Sequence, residues 1–236
     1  MSNISENIKQ IKEQIKKFAT NVKRPQESVS LLAVSKTKPI SQIIEAYEEG
    51  QRQFGESYAV EACDKIKQLK AMGYNDIKWH FIGPCQSNKT KLIAEHFDVI
   101  QSIDRLKIAE RINNQHPQEL GTVEIMIQVN ISNEAQKSGV SISDTPELIA
   151  QITEKCPMLK IIGLMGIAED TTDTSKITAQ FQALQNLKNE LSFKYPDITQ
   201  LSMGMSNDMQ EAISAGSTMV RIGTAIFGAR DYSKHI

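Results

Sequence analysis

Cysteine is scarce: Cys63, Cys85 and Cys156 are the only three, an odd number at wide spacing. They make neither a disulfide framework nor a metal-ligand pair, so a reduced, cytoplasmic protein is expected. The 12 glycines and 7 prolines are too few for a linker-rich or low-complexity chain. An excess of one charge is also missing. With 27 basic against 28 acidic side chains the net charge is −1, which gives no basic footprint for a nucleic-acid partner. Long apolar runs are absent too. The longest, around Ile161–Ala168, falls far short of the ~18 residues a membrane span needs, so no membrane partner is expected. The opening MSNISENIKQIKEQIKKF mixes Lys and Glu and has no apolar core of a secretory signal. No cluster of His, Cys, Asp and Glu has metal-ligand spacing, and no carboxylate pair stands out for acid–base work.

What is present is a regular alternation. Ile4, Ile8, Ile11, Ile15, Phe18 and Val22 recur every three or four residues and predict an extra N-terminal helix that closes the bottom of a larger domain. Eight short apolar runs follow: 31–34, 53–55, 78–82, 99–103, 123–129, 161–167, 200–205 and 219–222. Most are apolar at consecutive positions, as strands buried on both faces should be. Amphipathic stretches lie between them, the clearest being Ile177, Phe181, Leu184, Leu187 and Leu191. Eight βα units in 236 residues predict a single (β/α)8 TIM-type barrel, for which about 250 residues is typical. An open doubly wound sheet is the rival, and no G-x-G-x-x-G follows the first strand to support it. Residues 1–236 are expected to form one domain, since thirteen residues after Gly223 leave no room for a second.

Barrel enzymes carry their chemistry at the C-terminal ends of the strands. Past the first strand comes Ser35-Lys36-Thr37-Lys38-Pro39. A lysine at this rim is partly desolvated, which favours the neutral amine that attacks carbonyls. The eighth strand ends in Arg221-Ile222 and runs into Gly223-Thr224, and past the seventh comes Ser206-Asn207, either of which is expected to cap the next helix. Ser206, Gly223 and Thr224 together predict a phosphate cup, because barrels often bind phosphate at the loops after strands seven and eight. His80, inside the third strand, reads as a core histidine rather than a base, Ser87 and Asn88 as helix caps, and Cys85 as packing. An amine at one side and a phosphate cup at the other suit a molecule with an aldehyde and a phosphate. Pyridoxal 5′-phosphate (PLP) is one such cofactor.

The runs AVSKTKP (33–39), FGES (54–57), WHFIGPCQSNK (79–89), SIDR (102–105), KSG (137–139), GLMGI (163–167), MGMSNDM (203–209) and STMVRIGTAIFGARDY (217–232) resemble the pyridoxal phosphate homeostasis proteins. The match is in order along nearly the whole chain. It implies a barrel like the N-terminal domain of alanine racemase, PLP held as a Schiff base by Lys36, phosphate held by Ser206, Gly223 and Thr224, and Arg221 facing the pyridine nitrogen. It also implies a non-catalytic role in PLP and vitamin B6 balance. A lone barrel without a dimer motif favours a monomer, and an open mouth would let bound PLP pass to apo PLP-dependent enzymes. The chain departs from the family pattern at Ser57, where Asn is usual, at Cys85, commonly Leu, and at Gly166, often Ala.

The alternative is an amino-acid racemase of the alanine racemase type, and a weaker one a Schiff-base aldolase. Racemisation needs a second base, for which Tyr232 is a poor substitute, and the aldolase lacks an acid–base partner at the mouth. Lys38 and Lys137 are candidates for relaying PLP outward.

Overall fold

The computed structural model describes residues 3–132, 134 and 136–229; Tyr232 lies outside them. Eight parallel strands close into a barrel in sequence order, with β8 pairing back onto β1. They are β1 (Ser30–Val34), β2 (Gln53–Glu56), β3 (Lys78–Phe81), β4 (Val99–Ile103), β5 (Val123–Val129), β6 (Leu159–Gly166), β7 (Gln200–Ser202) and β8 (Met219–Ile222). The helices between them are α2 (Ile40–Glu48), α3 (Ala59–Ala71), α4 (Thr90–His96), α5 (Leu106–Gln115), α6 (Thr145–Lys155), α7 (Thr174–Ser192) and α8 (Met209–Ser214). A four-residue α9 (Thr224–Phe227) follows β8, and α1 (Ile4–Asn21) precedes the barrel. This is the expected fold.

Consecutive apolar positions serve two cores. Outward residues such as Phe54, Trp79 and Phe81 meet the helices, and α7 adds the predicted stripe of Ile177, Phe181, Leu184, Leu187 and Leu191. Truncating a fully buried side chain such as Phe181 to Ala costs about 3–5 kcal/mol. A separate cluster of Val99, Met126, Ile162 and Met165 fills the barrel interior.

The N-terminal helix does not close the bottom. Its backbone starts against α2, where Ile4 N–H donates to Glu45 Oε1 (3.2 Å), and Asn7 Nδ2 donates to Ile226 O on α9 (2.9 Å). Beyond its other end, Arg24 donates to Ile213 O in the last turn of α8 and to Ser217 O just after it (2.9 and 2.7 Å). Helix α1 therefore runs down the flank between α8, α9 and α2. The cause is the brevity of α9, which cannot cover the β8–β1 seam; the isoleucine stripe of α1 buries there instead.

Strand β7 ends at Ser202 rather than Met205 because Gly204 turns into the left-handed region at φ 96°, which a residue with a Cβ rarely adopts. Two predicted caps also shift. Helix α8 takes Asp208 at its N-cap, not Ser206 or Asn207, and α4 takes Lys89, not Ser87 or Asn88. In both cases a tight turn intervenes, closed by Asp208 N–H to Met205 O (3.3 Å) and by Lys89 N–H to Gln86 O (2.9 Å).

Candidate functional site at the barrel mouth

Register brings the predicted residues of the first and last strands together. Leu32 lies beside Arg221 and Val34 beside Gly55. A Cβ on Gly55 would meet Leu32 and Ile82, so this face of β1 points into the barrel. Ser35 points the other way, its hydroxyl bonded to Glu56 in the layer behind the barrel (2.7 Å). Alternation then puts half-buried Lys36 on the mouth side. On β8 the same period carries Arg221 to Gly223, where a Cβ would sit 3.3 Å from Val34 O. Lys36 and Gly223 thus flank one seam of the rim.

The Lys36 turn is closed by Lys38 N–H donating to Ser35 O (3.0 Å). Its third residue, Thr37, has φ 63°, a left-handed conformation that is an outlier for a β-branched side chain. Three ionic groups grip this turn from behind. Glu61 Oε1 accepts from Thr37 N–H (2.8 Å), and Lys65 Nζ donates to Ser35 O (2.9 Å), to Glu56 Oε1 (3.0 Å) and to Glu61 Oε1 (2.5 Å). Glu56 is fully buried, and burial raises its carboxyl pKa against the opposing pull of Lys65. Beyond the turn, Lys38 Nζ donates to the carbonyls of Phe227, Gly228 and Ala229 at 3.1, 2.9 and 2.8 Å, fastening the loop after β1 to the end of α9.

Beneath the mouth a chain of polar groups crosses the interior. Arg221 Nη1 donates to Ser202 O (2.6 Å) and Ser202 Oγ (2.9 Å), and Nη2 donates to Gly166 O (2.9 Å). Ser202 Oγ donates in turn to Gln101 Oε1 (2.6 Å), spanning strands that are not sheet neighbours. Gln101 Nε2 then lies 2.9 Å from His80 Nδ1. Because a guanidinium only donates, every proton in the chain points away from Arg221, and His80 accepts at Nδ1 as the Nε2–H tautomer. Burial drives His80 down to about 3 and Arg221 down to about 10, the latter partly offset by Asp208. At neutral pH the histidine is uncharged and the arginine remains a cation. His80 is a core residue as expected, although its Nε2 has no partner among the described residues.

The loops after β7 and β8 supply hydroxyls. Arg221 N–H donates to Gly204 O (2.9 Å), which ties the β7 loop to β8. Asp208 turns its carboxylate back onto Met205 N–H (2.5 Å), leaving Ser206 exposed to solvent rather than folded over α8. Thr224 is exposed as well. In the short α9, Ile226 and Phe227 N–H both donate to Gly223 O (3.0 and 2.9 Å), and the preceding Thr224 and Ala225 N–H have no backbone acceptor among the described residues.

Across the mouth the arrangement differs. A cavity of about 250 Å³ opens between β3, β5 and β6, lined by Ile82, Pro84, Gln128, Asn130, Lys137 and Ile167 among others. Lys36, Ser206, Arg221, Gly223 and Thr224 are not among its walls. Lys137 pairs with Glu134 (2.5 Å) and donates to Ala168 O (3.3 Å).

The alanine racemase N-terminal domain family matches residues 3–231. The pyridoxal phosphate homeostasis protein of Escherichia coli (strain K12) is 50% identical over 99% of this chain and all of its own length. That of Vibrio alginolyticus is 52% identical over the same shares. The chain belongs to the pyridoxal phosphate homeostasis protein family. Among solved structures, PipY of Synechococcus elongatus with PLP bound superposes at a TM-score of 0.81 with 33% identity, covering 95% of this chain and all of that one.

In this member of the pyridoxal phosphate homeostasis proteins, Ser57 sits half-buried against the loop after β3. Its backbone is so close to Gly83 that a Cβ there would fall 2.1 Å from Ser57 O. Cys85 packs as expected. Its thiol lies 3.3 Å from Ser102 Oγ, and burial pushes it up to about 12, far from a reactive thiolate. Glu56, Glu61, Lys65, Gln101, Ser202 and Asp208 were not singled out by the sequence. For Lys65 and Glu61 a signal was present in their i, i+4 spacing, and for Glu56 in a charge ending an apolar strand.

Proposed function

We propose that this protein binds PLP reversibly at the β7–β8–β1 side of the mouth, as a Schiff base on Lys36, and serves vitamin B6 homeostasis without substantial catalysis. The observation that carries the reading is the convergence of three loops on one seam, which gathers an amine, two exposed hydroxyls, the Thr224 and Ala225 N–H groups and a buried guanidinium. PLP supplies an aldehyde that condenses with an amine and a phosphate that needs donors. The donor set fits both. Lys36 offers the amine, and Ser206, Gly223 and Thr224 offer hydroxyl and N–H donors to the phosphate.

Arg221 faces the ring nitrogen in this reading. A guanidinium has no acceptor, so it cannot take a proton from a protonated ring nitrogen, and it keeps that nitrogen unprotonated. This weakens the electron withdrawal that racemase chemistry needs. Three buried thiols suit a reducing cytoplasm, and the chain acts there as a monomer. Among the described residues no helix is long and apolar enough to cross a membrane.

The reading is tested by borohydride reduction of the PLP-loaded protein and peptide mapping. A phosphopyridoxyl group on the Lys36 peptide is expected; an adduct found only elsewhere overturns the assignment. Alanine racemisation above ~1 per second would return the protein to the enzymes. Transfer to an apo PLP-dependent enzyme in the presence of a trap for free PLP tests handover: reactivation faster than from free PLP is expected, and an equal rate leaves buffering alone.

A further inference from the structure

We propose that Lys65, with Glu56 and Glu61, is a positioning group that holds the Lys36 turn in its strained shape and so aims the Lys36 amine over the mouth. The inference rests on the reading of Lys36 as the PLP-bearing residue. Its basis is geometric. The three groups touch the residues on both sides of Lys36: Lys65 Nζ takes the Ser35 carbonyl, Glu56 the Ser35 hydroxyl, and Glu61 the Thr37 N–H. All of them lie in the barrel–helix layer, behind the mouth, so none is placed to touch a ligand bound in front.

The turn needs such a grip. Thr37 at φ 63° stands where glycine or asparagine ordinarily would, and left to itself a β-branched residue leaves that region. A change of φ at Thr37 swings the Lys36 Cα–Cβ direction relative to β1. Lys65 joins the clamp together, because its ammonium is the one group that contacts Ser35, Glu56 and Glu61 at once. It also bridges two carboxylates that would otherwise repel. Burial of Lys65 and Glu56 has no other evident use, since a well-packed apolar pair would fill the same layer at less cost.

The test uses the full chain and PLP as the probe, read by visible absorbance titration and by borohydride mapping. Lys65→Met with Glu56→Gln removes the ammonium without leaving a buried charge, and PLP affinity should fall about tenfold, the penalty of an unsupported left-handed residue. Adding Thr37→Gly should recover most of that loss, because glycine adopts the turn unaided. Lys65→Arg, which keeps the cation and its donors, should bind within about threefold of the wild type. Should the double variant not fold, Glu61→Ala, at a partly exposed position, should weaken binding in the same direction and be rescued by the same glycine. Wild-type affinity in the clamp variants, or a loss that Thr37→Gly leaves untouched, overturns the proposal. Absence of label on Lys36 in the wild type instead overturns the reading beneath it, so the two failures are distinguishable.

Discussion

Lys36 and Lys137 overlook the same barrel mouth from different sides and are held differently. Lys36 sits on a turn whose carbonyl and N–H ends are fastened to buried Lys65 and to Glu61. Lys137 rides a loop beside the cavity between β3, β5 and β6, in an ion pair whose two side chains are each 29% exposed. The second side has a cavity of about 250 Å³. On the proposed reading the first offers what reversible covalent binding requires: an amine on one strand end and hydroxyl and N–H donors on the neighbouring ones. Concavity finds space, whereas register finds convergence.

The comparison breaks most sharply on the lysines themselves. At PLP just below one equivalent, Lys36→Ala should lose essentially all adduct at that peptide, while Lys137→Ala should label Lys36 as the wild type does. Peptide mass mapping after borohydride decides it; preferential labelling of Lys137 in the wild type would reverse the ranking of the two sides.

The phosphate donors come next. Charge-assisted hydrogen bonds to a phosphate contribute about 1.5–3 kcal/mol each, so unphosphorylated pyridoxal should bind at least about tenfold more weakly than PLP. Thr224→Ala should narrow that gap, measured by paired titrations. Equal affinity for the two ligands would remove the cup at Ser206, Gly223 and Thr224.

A third measurement addresses the polar chain lying below both sides. His80 titrates near 3 when folded against an ordinary 6.5, so the folded protein stays neutral there while the unfolded chain takes a proton. The stability is fully present above pH 6.5 and drains as pH falls toward 3, by up to about 1.4 kcal/mol per pH unit. Urea midpoints between pH 7 and 4.5 should show this slope, and His80→Gln, which keeps an acceptor for Gln101, should flatten it. An unchanged slope would mean that other groups govern the acid limb.

The smallest effect belongs to the Lys137 pair. Partly exposed ion pairs contribute about 0.2–1 kcal/mol, so Lys137→Met should shift the unfolding midpoint and PLP affinity only slightly. A tenfold loss of affinity would make that side part of the binding site.

Much of this molecule is legible along one dimension. Consecutive apolar positions in most of eight short runs fit strands buried on both faces, and their alternation with amphipathic stretches makes a parallel barrel the economical closure. Strand ends then nominate Lys36, Arg221, Gly223 and Thr224, because the rule that chemistry sits past the strand C-termini needs no coordinates. Contacts between distant segments were not legible. The N-terminal helix reads as amphipathic, but its place on the β8–β1 flank depends on the brevity of α9, more than two hundred residues away. His80, Gln101, Ser202 and Arg221 each look like an isolated polar residue in its own strand. Only closure of the barrel points them at one another, since a hydrogen bond between β4 and β7 exists only inside it. The strain at Thr37 is the same kind of fact. The sequence determined which residues stand at the rim through local periodicity and burial; the tertiary structure decided how firmly each is held, because that depends on partners brought in from other strands and helices.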